Sequence, residues 1–177
     1  MSWIKDWAIE EKTMKTILIA YATKTGTTEE TAREIASTLE ERGFQVEVKP
    51  MAQVASLDGW DGVVIGAPVN GMDWLPEAAS FVASRKSGLA GTRVAVFFVS
   101  YLYFGGRTMW RKAIEKKLAM AAATAGASAS VVLGGRLPGP LPGFARILFG
   151  KPKDAPLDAR DHGVTREWAA SLAALFA

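Results

Sequence analysis

An apolar run leads directly into a threonine-rich loop near the start of the chain, and this junction constrains the fold most. Residues 16–21 read Thr-Ile-Leu-Ile-Ala-Tyr, and residues 23–28 read Thr-Lys-Thr-Gly-Thr-Thr. A continuous apolar run is typical of a central parallel strand that is buried on both faces. The next segment repeats apolar residues at helical spacing up to Gly43, namely Ala32, Ile35, Ala36 and Leu39. The sequence therefore predicts a strand, a loop and a helix in immediate succession.

The loop between this strand and this helix is predicted to bind a phosphate group. The first N–H groups of a helix have no partner within the helix, and the helix dipole favours an anion there. The threonines add hydroxyl donors, and glycine lets the backbone close around a ligand. The candidate residues are Thr23, Lys24, Thr25, Gly26, Thr27 and Thr28. An ordinary capped turn is the alternative, because threonine and glycine are also common at helix starts.

Several kinds of phosphate site are excluded by what this loop lacks. It contains neither the GxxxxGK[ST] pattern of nucleoside triphosphate loops nor the GxGxxG pattern of dinucleotide-binding folds. A receiver domain would need a carboxylate for magnesium at the end of the first strand, where this chain has Tyr21, Ala22 and Thr23. A hydroxyl-rich loop without magnesium ligands suits a phosphomonoester that is held by neutral donors.

Strand and helix signals alternate along the rest of the chain. Further strands are predicted at 44–49, 62–66, 93–100 and 129–133, with 44–49 at a sheet edge. Helices are predicted at 76–84, at 108–125 with Thr108 as its N-cap, and from a Thr165 cap to Phe176; residues 54–57 form at most a short helix. This alternation predicts an α/β fold with a doubly wound five-stranded parallel sheet in the order 2-1-3-4-5. A ligand crevice is expected at the carboxyl ends of strands 1, 3 and 4.

Two further loops follow strands at this same edge of the sheet, and they are rich in glycine and aromatic residues. After the third strand come Ala67, Pro68, Val69, Asn70, Gly71, Met72 and Trp74. After the fourth come Ser100, Tyr101, Leu102, Tyr103, Gly105 and Gly106. Glycines let backbone amides approach a flat ring, and aromatic side chains pack against its faces. The Asn70-Gly71 pair favours a tight turn, while plain hydrophobic packing is the alternative for Trp74 and Tyr101.

Composition excludes several other chemistries. The 177 residues contain no cysteine, which excludes disulfides, thiol catalysis and thiolate-bound metals. The single histidine, His162, is interpreted as a solvated loop residue, and no metal site is predicted. No uncharged apolar run reaches ~18 residues, and residues 1–13 are too acidic for a signal peptide, so a cytoplasmic location is expected. Those thirteen residues are interpreted as an extension to one domain of residues 14–177.

Positive charge is concentrated in the second half of the chain. The net charge is +3, and residues 107–153 contain nine basic residues and one acid, Glu115. Such a field attracts an anionic substrate, an anionic membrane surface or an acidic protein. Nucleic acid is disfavoured as a partner, because no nucleic-acid-binding motif accompanies the charge. A solvated helix face is the alternative for 111–117.

Together these motifs resemble the flavodoxin-like FMN proteins, and among them the branch containing menaquinone-dependent protoporphyrinogen dehydrogenase. Beyond the threonine loop, the similar segments are 72–78, 134–137, 158–161 and 165–168. The resemblance implies noncovalently bound FMN with its phosphate on Thr23–Thr28 and its ring between 67–74 and 100–106. It also implies that no acid–base side chain is essential, because the flavin supplies the redox chemistry.

Residues 136–163 interrupt the last strand-to-helix connection as an insertion. Its apolar residues Phe144, Ile147, Leu148 and Phe149 lie beside Arg146 and Lys151, a composition that suits a membrane surface or a hydrophobic substrate. The alternative is a proline-stiffened loop that packs on the sheet edge.

Three functions are open at this point. The first is an FMN-dependent oxidoreductase that oxidises a porphyrinogen-like or other reduced organic substrate with a quinone, at the inner face of the membrane. The second is a flavodoxin-type electron carrier, against which a sequence pI near 9.2 argues, because such carriers are usually acidic. The third is an interaction domain without redox chemistry. The oligomeric state is open as well.

Overall fold

The computed structural model describes residues 14–70, 72–137, 143–148 and 157–177, and strands and helices alternate through them. The strands are β1 (Thr16–Tyr21), β2 (Gln45–Pro50), β3 (Gly62–Asn70), β4 (Asp73–Trp74), β5 (Arg93–Ser100) and β6 (Ala129–Gly134). The helices are α1 (Thr27–Glu40), α2 (Pro76–Ser84), α3 (Lys86–Ala90), α4 (Tyr101–Gly105), α5 (Thr108–Ala125), α6 (Gly143–Leu148) and α7 (His162–Phe176). A 3₁₀ turn occupies Met51–Gln53.

Five of the strands form a parallel sheet in the order β2-β1-β3-β5-β6. This confirms the predicted five-strand order, to which the structure adds β4, a short strand that runs antiparallel to the end of β3. Ile19 in β1 is paired with Val48 of β2 on one side and with Val64 of β3 on the other. The inner strands are apolar along their central residues because helices cover both faces of the sheet.

The helices divide between the two faces and create two apolar cores. Helices α1 and α7 cover one face, with Ile35 of α1 and Leu172 of α7 fully buried against the sheet. Helices α2, α3 and α5 cover the other, where Phe81 and Ile114 are buried. Each such side chain contributes roughly 1.5–3 kcal/mol when it leaves water. These two layers hold the strand ends in fixed positions at the carboxyl edge of the sheet.

Several predicted boundaries are wrong near that edge. Strand β3 continues past Gly66 to Asn70, because Pro68 still pairs with Val99 of β5 and Asn70 pairs with Asp73 of β4. Four residues that were expected in a loop, Ala67–Asn70, are therefore strand. The segment after β5 contains the short helix α4 rather than an irregular loop.

Other boundaries differ by smaller amounts. Strand β2 begins at Gln45, one residue later than expected. No helix forms at 54–57, and the helical turn lies just before them at Met51–Gln53. Helix α6, inside the insertion, was not predicted.

Helices α5 and α7 do not use the predicted caps. Thr108 is the first helical residue of α5, and Arg107 holds the cap position without a side-chain capping bond. Asp161 caps α7, since its Oδ1 accepts a hydrogen bond from the Val164 N–H at 3.1 Å. Thr165 lies within that helix and donates its hydroxyl to the Asp161 carbonyl at 3.0 Å. His162 is thus the first residue of α7 rather than a loop residue, with Nδ1 2.9 Å from Oε2 of Glu34.

The predictions made for residues 1–13 and for residues 138–142 and 149–156 of the insertion lie outside the described residues. The same holds for Gly71, Phe149 and Lys151. No helix in the parts of the chain that the structure describes is long and apolar enough to cross a membrane.

Candidate cofactor-binding site

A cavity of about 240 Å³ lies at the carboxyl edge of the sheet, where the ends of β3 and β5 meet the segments that follow β1, β5 and β6. Ten residues predicted for the site line it, namely Lys24, Thr25, Thr27, Thr28, Pro68, Val69, Asn70, Ser100, Tyr101 and Leu102. Four residues that the sequence did not suggest complete it, namely Val99, Gly135, Arg136 and Leu137. The charged residues among these, Lys24 and Arg136, are both cationic, so the cavity favours an anionic ligand.

The threonine loop is held in shape by short-range backbone contacts. Gly26 has φ of 86° and is the N-cap of α1, and its carbonyl accepts from the Glu30 N–H at 3.0 Å. The Gly26 N–H donates to Oγ1 of Thr23 at 3.0 Å. Thr23 and Gly26 therefore shape the loop rather than line the cavity. No side chain caps α1, which leaves the start of the helix without a side-chain acceptor.

Thr28 gives the clearest sign of a ligand-binding site. Its side chain is buried, and its Oγ1 has no hydrogen-bond partner. Leaving a buried hydroxyl unpaired costs about 1–3 kcal/mol. Thr31, one turn later, instead donates its hydroxyl to the Thr27 carbonyl at 3.0 Å. The donor set of the loop, hydroxyls at the start of a helix, fits a phosphate monoester, and the unpaired Thr28 hydroxyl can donate to it.

The stretch predicted as a loop after the third strand, residues 67–74, contributes no aromatic side chain to the cavity. Trp74 packs on the core residue Phe98 with ring centroids 5.7 Å apart, and it does not line the cavity. Ala67 is fully buried in the core, and Met72, at φ 69°, packs against that same core from the β3–β4 turn. The cavity wall here consists of Pro68, Val69 and Asn70.

The segment after β5 turns away from the cavity after its first residues. Oγ of Ser100 accepts from the Tyr103 N–H at 3.2 Å and so begins α4. Tyr101 and Leu102 line the cavity, whereas Tyr103 donates its hydroxyl to Oε1 of Glu115 at 2.7 Å. That hydrogen bond raises the pKa of Tyr103. Gly105 and Gly106, at the far end of α4, lie outside the cavity lining.

The fourth wall of the cavity, Gly135–Leu137, was not predicted from the sequence. It lies where the insertion leaves and rejoins the fold. The Gly135 carbonyl accepts from the Ala159 N–H at 3.0 Å, and the Leu137 N–H donates to the Leu157 carbonyl at 2.9 Å. Arg136 and Asp158 form an antiparallel bridge between these two bonds. A glycine pair directly after an apolar strand was the one local signal for this wall.

Ion pairs attach that wall to α1. Glu30 lies 3.2 Å from Nη2 of Arg136 and 2.6 Å from Nη1 of Arg160. Arg160 also contacts both carboxylate oxygens of Asp158, with Nη2 to Oδ2 at 2.6 Å and Nε to Oδ1 at 2.9 Å. The hydrogen bonds from Arg160 lower the pKa of Asp158 to about 2. These contacts join the base of the insertion to the helix that begins at the threonine loop.

The chain matches one protein-family model. That model is described as a flavodoxin domain, and it matches residues 18–140. The matched range contains all four walls of the cavity, and it excludes α6 and α7.

Solved structures with the same fold include both small proteins and a larger enzyme. A flavodoxin from the domain Archaea superposes with a TM-score of 0.59 at 14% identity, covering 91% of this chain and 98% of that one. A Streptococcus pneumoniae flavodoxin gives 0.58 at 19% identity, covering 90% and 98%. Rubredoxin oxygen:oxidoreductase from Desulfovibrio gigas gives 0.60 at 16% identity, and 91% of this chain spans 36% of that protein. At these identities the likeness concerns the fold alone.

Proposed function

This chain belongs to the flavodoxin domain family, and we propose that it uses FMN in the cavity at the strand ends to pass electrons between a donor and an acceptor. The family membership confirms FMN as the cofactor predicted from the sequence. The observation that carries the location is the buried, unpartnered hydroxyl of Thr28 in the first turn of α1. Bound FMN supplies one- and two-electron redox chemistry, and the protein supplies binding, orientation and electrostatics.

The residues of the cavity divide into two roles in this proposal. Thr25, Thr27, Thr28 and the first N–H groups of α1 would hold the phosphate. Val69, Tyr101 and Leu102 would pack against the flavin and exclude water from it. Lys24 and Arg136 add positive charge in the wall, which favours an anionic cofactor and an anionic reduced flavin.

An oxidoreductase with a substrate of its own is one form of this function. In it, electrons would pass from a porphyrinogen-like or other reduced organic substrate to a quinone. Its support is the insertion, where Phe144 and Ile147 of α6 are 76% and 79% exposed beside Arg146. Exposed apolar side chains among cations suit the surface of an anionic membrane, in which quinones dissolve.

An electron carrier without a substrate is the other form. Its support is the cavity wall, since the ionisable side chains among its lining residues are Lys24, Arg136 and Tyr101. The side chains in this wall therefore include no carboxylate or imidazole to move substrate protons, and electron exchange needs none.

Titration of the purified protein with FMN, followed by the flavin absorption band, tests the cofactor site. Thr28→Val should weaken FMN binding about 10- to 100-fold, since a hydrogen bond to a charged group contributes about 1.5–3 kcal/mol. The same change should leave the stability of the apoprotein unchanged or higher, because it removes an unpaired buried hydroxyl. Thr38→Val is the matched control, a near-buried threonine of α1 whose hydroxyl donates to the Glu34 carbonyl. Wild-type FMN affinity in Thr28→Val would place the phosphate elsewhere.

Turnover assays with the FMN-loaded protein separate the two forms. Oxidation of protoporphyrinogen IX with menadione as acceptor would support the oxidoreductase. Reversible reduction of the flavin by a chemical reductant, with no turnover of porphyrinogen or quinone, would support the carrier.

A further inference from the structure

Helix α5 presents a stripe of methionine and lysine to solvent. Met109, Lys112, Lys116 and Met120 recur every three or four residues, so they lie on one face of the helix. The two methionines are 67% and 54% exposed, and both lysines are exposed as well. The opposite face of α5 carries Ile114 and Leu118, which are buried in the core. The stripe is therefore not needed to attach α5 to the sheet.

The positive charge on this stripe is not neutralised by the rest of the described chain. Lys112 and Lys116 of the stripe, and Arg107 at the N-cap of α5, form no salt bridge with any residue in the described ranges. Glu115 of α5 keeps its negative charge while it accepts the Tyr103 hydroxyl, but Arg107, Arg111, Lys112 and Lys116 outnumber it, so this end of α5 is net positive. Lys117, by contrast, is paired with Asp73 at 2.6 Å and does not contribute free charge.

This face adjoins the cofactor cavity through α4. Tyr101 and Leu102, the first residues of α4, line the cavity, while Phe104 in the same helix is exposed to solvent. Arg111 of α5 donates to the Tyr103 carbonyl at 3.2 Å and lies over the Tyr103 ring. A partner bound to α4 and the start of α5 would therefore sit beside the cavity.

We propose that this face, formed by Phe104, Arg107, Met109, Lys112, Lys116 and Met120, docks an acidic one-electron redox protein. The inference rests on the proposed function, because it names the partner of that flavin site. Methionine, arginine and aromatic side chains are enriched at protein interfaces, and exposed methionine adapts to different partner surfaces. Unneutralised cations steer an acidic partner and repel a basic one, and steering raises association rates by 10- to 1,000-fold.

The electron count of the proposed exchange is simple. One electron leaves the redox centre of the acidic partner, which is oxidised, and enters the flavin, which is reduced. A second partner molecule delivers a second electron, and any protons that the flavin takes up come from water.

Stopped-flow reduction of the FMN-loaded protein by a reduced plant-type [2Fe–2S] ferredoxin, an acidic probe protein, tests the inference. The variant Arg107→Glu/Lys112→Glu/Lys116→Glu should slow reduction at least tenfold at low salt, and the difference should vanish in 1 M NaCl, where the Debye length is about 3 Å. The matched control is Lys15→Glu/Arg42→Glu/Lys86→Glu. It changes net charge equally, but its residues precede β1, β2 and β5 at the opposite edge of the sheet. That control should stay within about threefold of wild type.

Binding of the same ferredoxin to the apoprotein, measured by surface plasmon resonance at low salt, gives a readout that does not need the flavin. Loss of binding in the first variant alone would support the inference even if FMN did not bind, whereas failure to bind FMN would overturn only the proposed function. Equal slowing in both triple variants would overturn the inference, since net charge would then explain it. So would an unchanged ferredoxin rate combined with lost binding to vesicles containing 30% phosphatidylserine, which would assign the face to a membrane.

Discussion

Two walls of the cofactor cavity are built in different ways. The threonine loop is shaped by contacts within a few residues, such as Gly26 N–H to Thr23 Oγ1, and uses hydroxyl and backbone groups. The wall at Gly135–Leu137 depends on partners far along the chain, with Leu157 and Ala159 across the insertion and Glu30 on α1. The first wall, the threonine loop, therefore forms from local contacts at a strand end. The second wall, at Gly135–Leu137, forms only when Leu157 and Ala159 fold back against it.

This difference predicts which property each wall controls. Changes in the threonine loop should alter FMN affinity more than stability, because few tertiary contacts depend on it. Changes in the second wall should lower stability more than FMN affinity, because they disconnect the insertion from α1. Four substitutions, taken from the largest expected effect to the smallest, test that separation.

Gly134→Ala should be the most damaging change. A Cβ on Gly134 would lie 1.8 Å from the Ala159 carbonyl oxygen and 2.5 Å from its carbon, so the segment around Ala159 that returns from the insertion must move. We expect a loss of about 3 kcal/mol in the free energy of unfolding, at the upper end for overpacking. Urea unfolding measures the loss, and hydrogen exchange should increase at 157–161.

Gly91→Ala is the control for that experiment. Its Cβ would meet its nearest neighbour, the Gly88 carbonyl oxygen, only at 4.0 Å, and its φ is −94°. Its stability should change by less than about 1 kcal/mol. Wild-type stability in Gly134→Ala would show that the insertion can separate from β6 without cost. It would then contradict the expectation that changes in the second wall lower stability.

Gly26→Ala should lower stability less than Gly134→Ala does, and it should weaken FMN binding more. Gly26 has φ of 86° and open space around it, so alanine meets backbone strain of about 1–2 kcal/mol rather than a clash. Gly43→Ala, at φ 87° and equally open, should cost the same. Only Gly26→Ala should also weaken FMN binding, because the strained backbone would move the threonine loop away from the geometry that holds the phosphate. Each 1.4 kcal/mol of binding free energy lost in this way weakens FMN binding about tenfold. An equal FMN affinity in both variants would mean that the loop backbone does not contact the phosphate.

The parts of the fold that follow from local pattern could be predicted from the sequence. The bounds of β1 and β5 agree with the apolar runs at 16–21 and 93–100, because strands buried on both faces need no alternation. The sheet order also followed, since alternating strands and helices leave few connections. The end of β3 did not follow, because its last residues pair with β5 and β4, and such pairing is not encoded locally.

The same distinction separates the predicted from the unpredicted parts of the site. The threonine loop and Tyr101 were identified because each directly follows a strand end. Trp74 was expected at the flavin because it is aromatic, yet it packs on Phe98, where a large apolar surface is available to it. Arg136 was counted among the basic residues but not assigned to the cavity, because its place depends on Glu30, 106 residues away.

Arg160→Met tests whether ion pairs hold the second wall. Arg160 contacts Glu30 and Asp158 and is mostly shielded from solvent, so its loss should cost about 1 kcal/mol at low salt and less at 1 M NaCl. Arg33→Met, which removes an exposed pair with Glu29 on the same helix α1, should have a smaller effect. Chemical unfolding at both salt concentrations distinguishes them. Equal losses in the two variants would mean that the long-range pairs contribute no more than a surface pair.

Asp158→Asn should give the smallest change, because the Asp158 side chain is 37% exposed, and the loss of stability should be complete at neutral pH and disappear in acid. Hydrogen bonds from Arg160 hold the Asp158 pKa at about 2, below the value of about 3.9 for an unfolded chain. The carboxylate therefore stabilises the fold fully above about pH 4, and this stabilisation is lost as the pH falls from 4 towards 2. The difference in Tm between pH 5 and pH 3 should be smaller in Asp158→Asn than in wild type. In an Arg160→Met background the substitution should have a much smaller effect, because the side-chain hydrogen bonds from Arg160, the largest cause of the lowered pKa, are gone. An undiminished effect in that background would mean that the charge of Arg136 and the backbone N–H of residue 160 hold the carboxylate, and that the second wall closes without the Arg160 side chain.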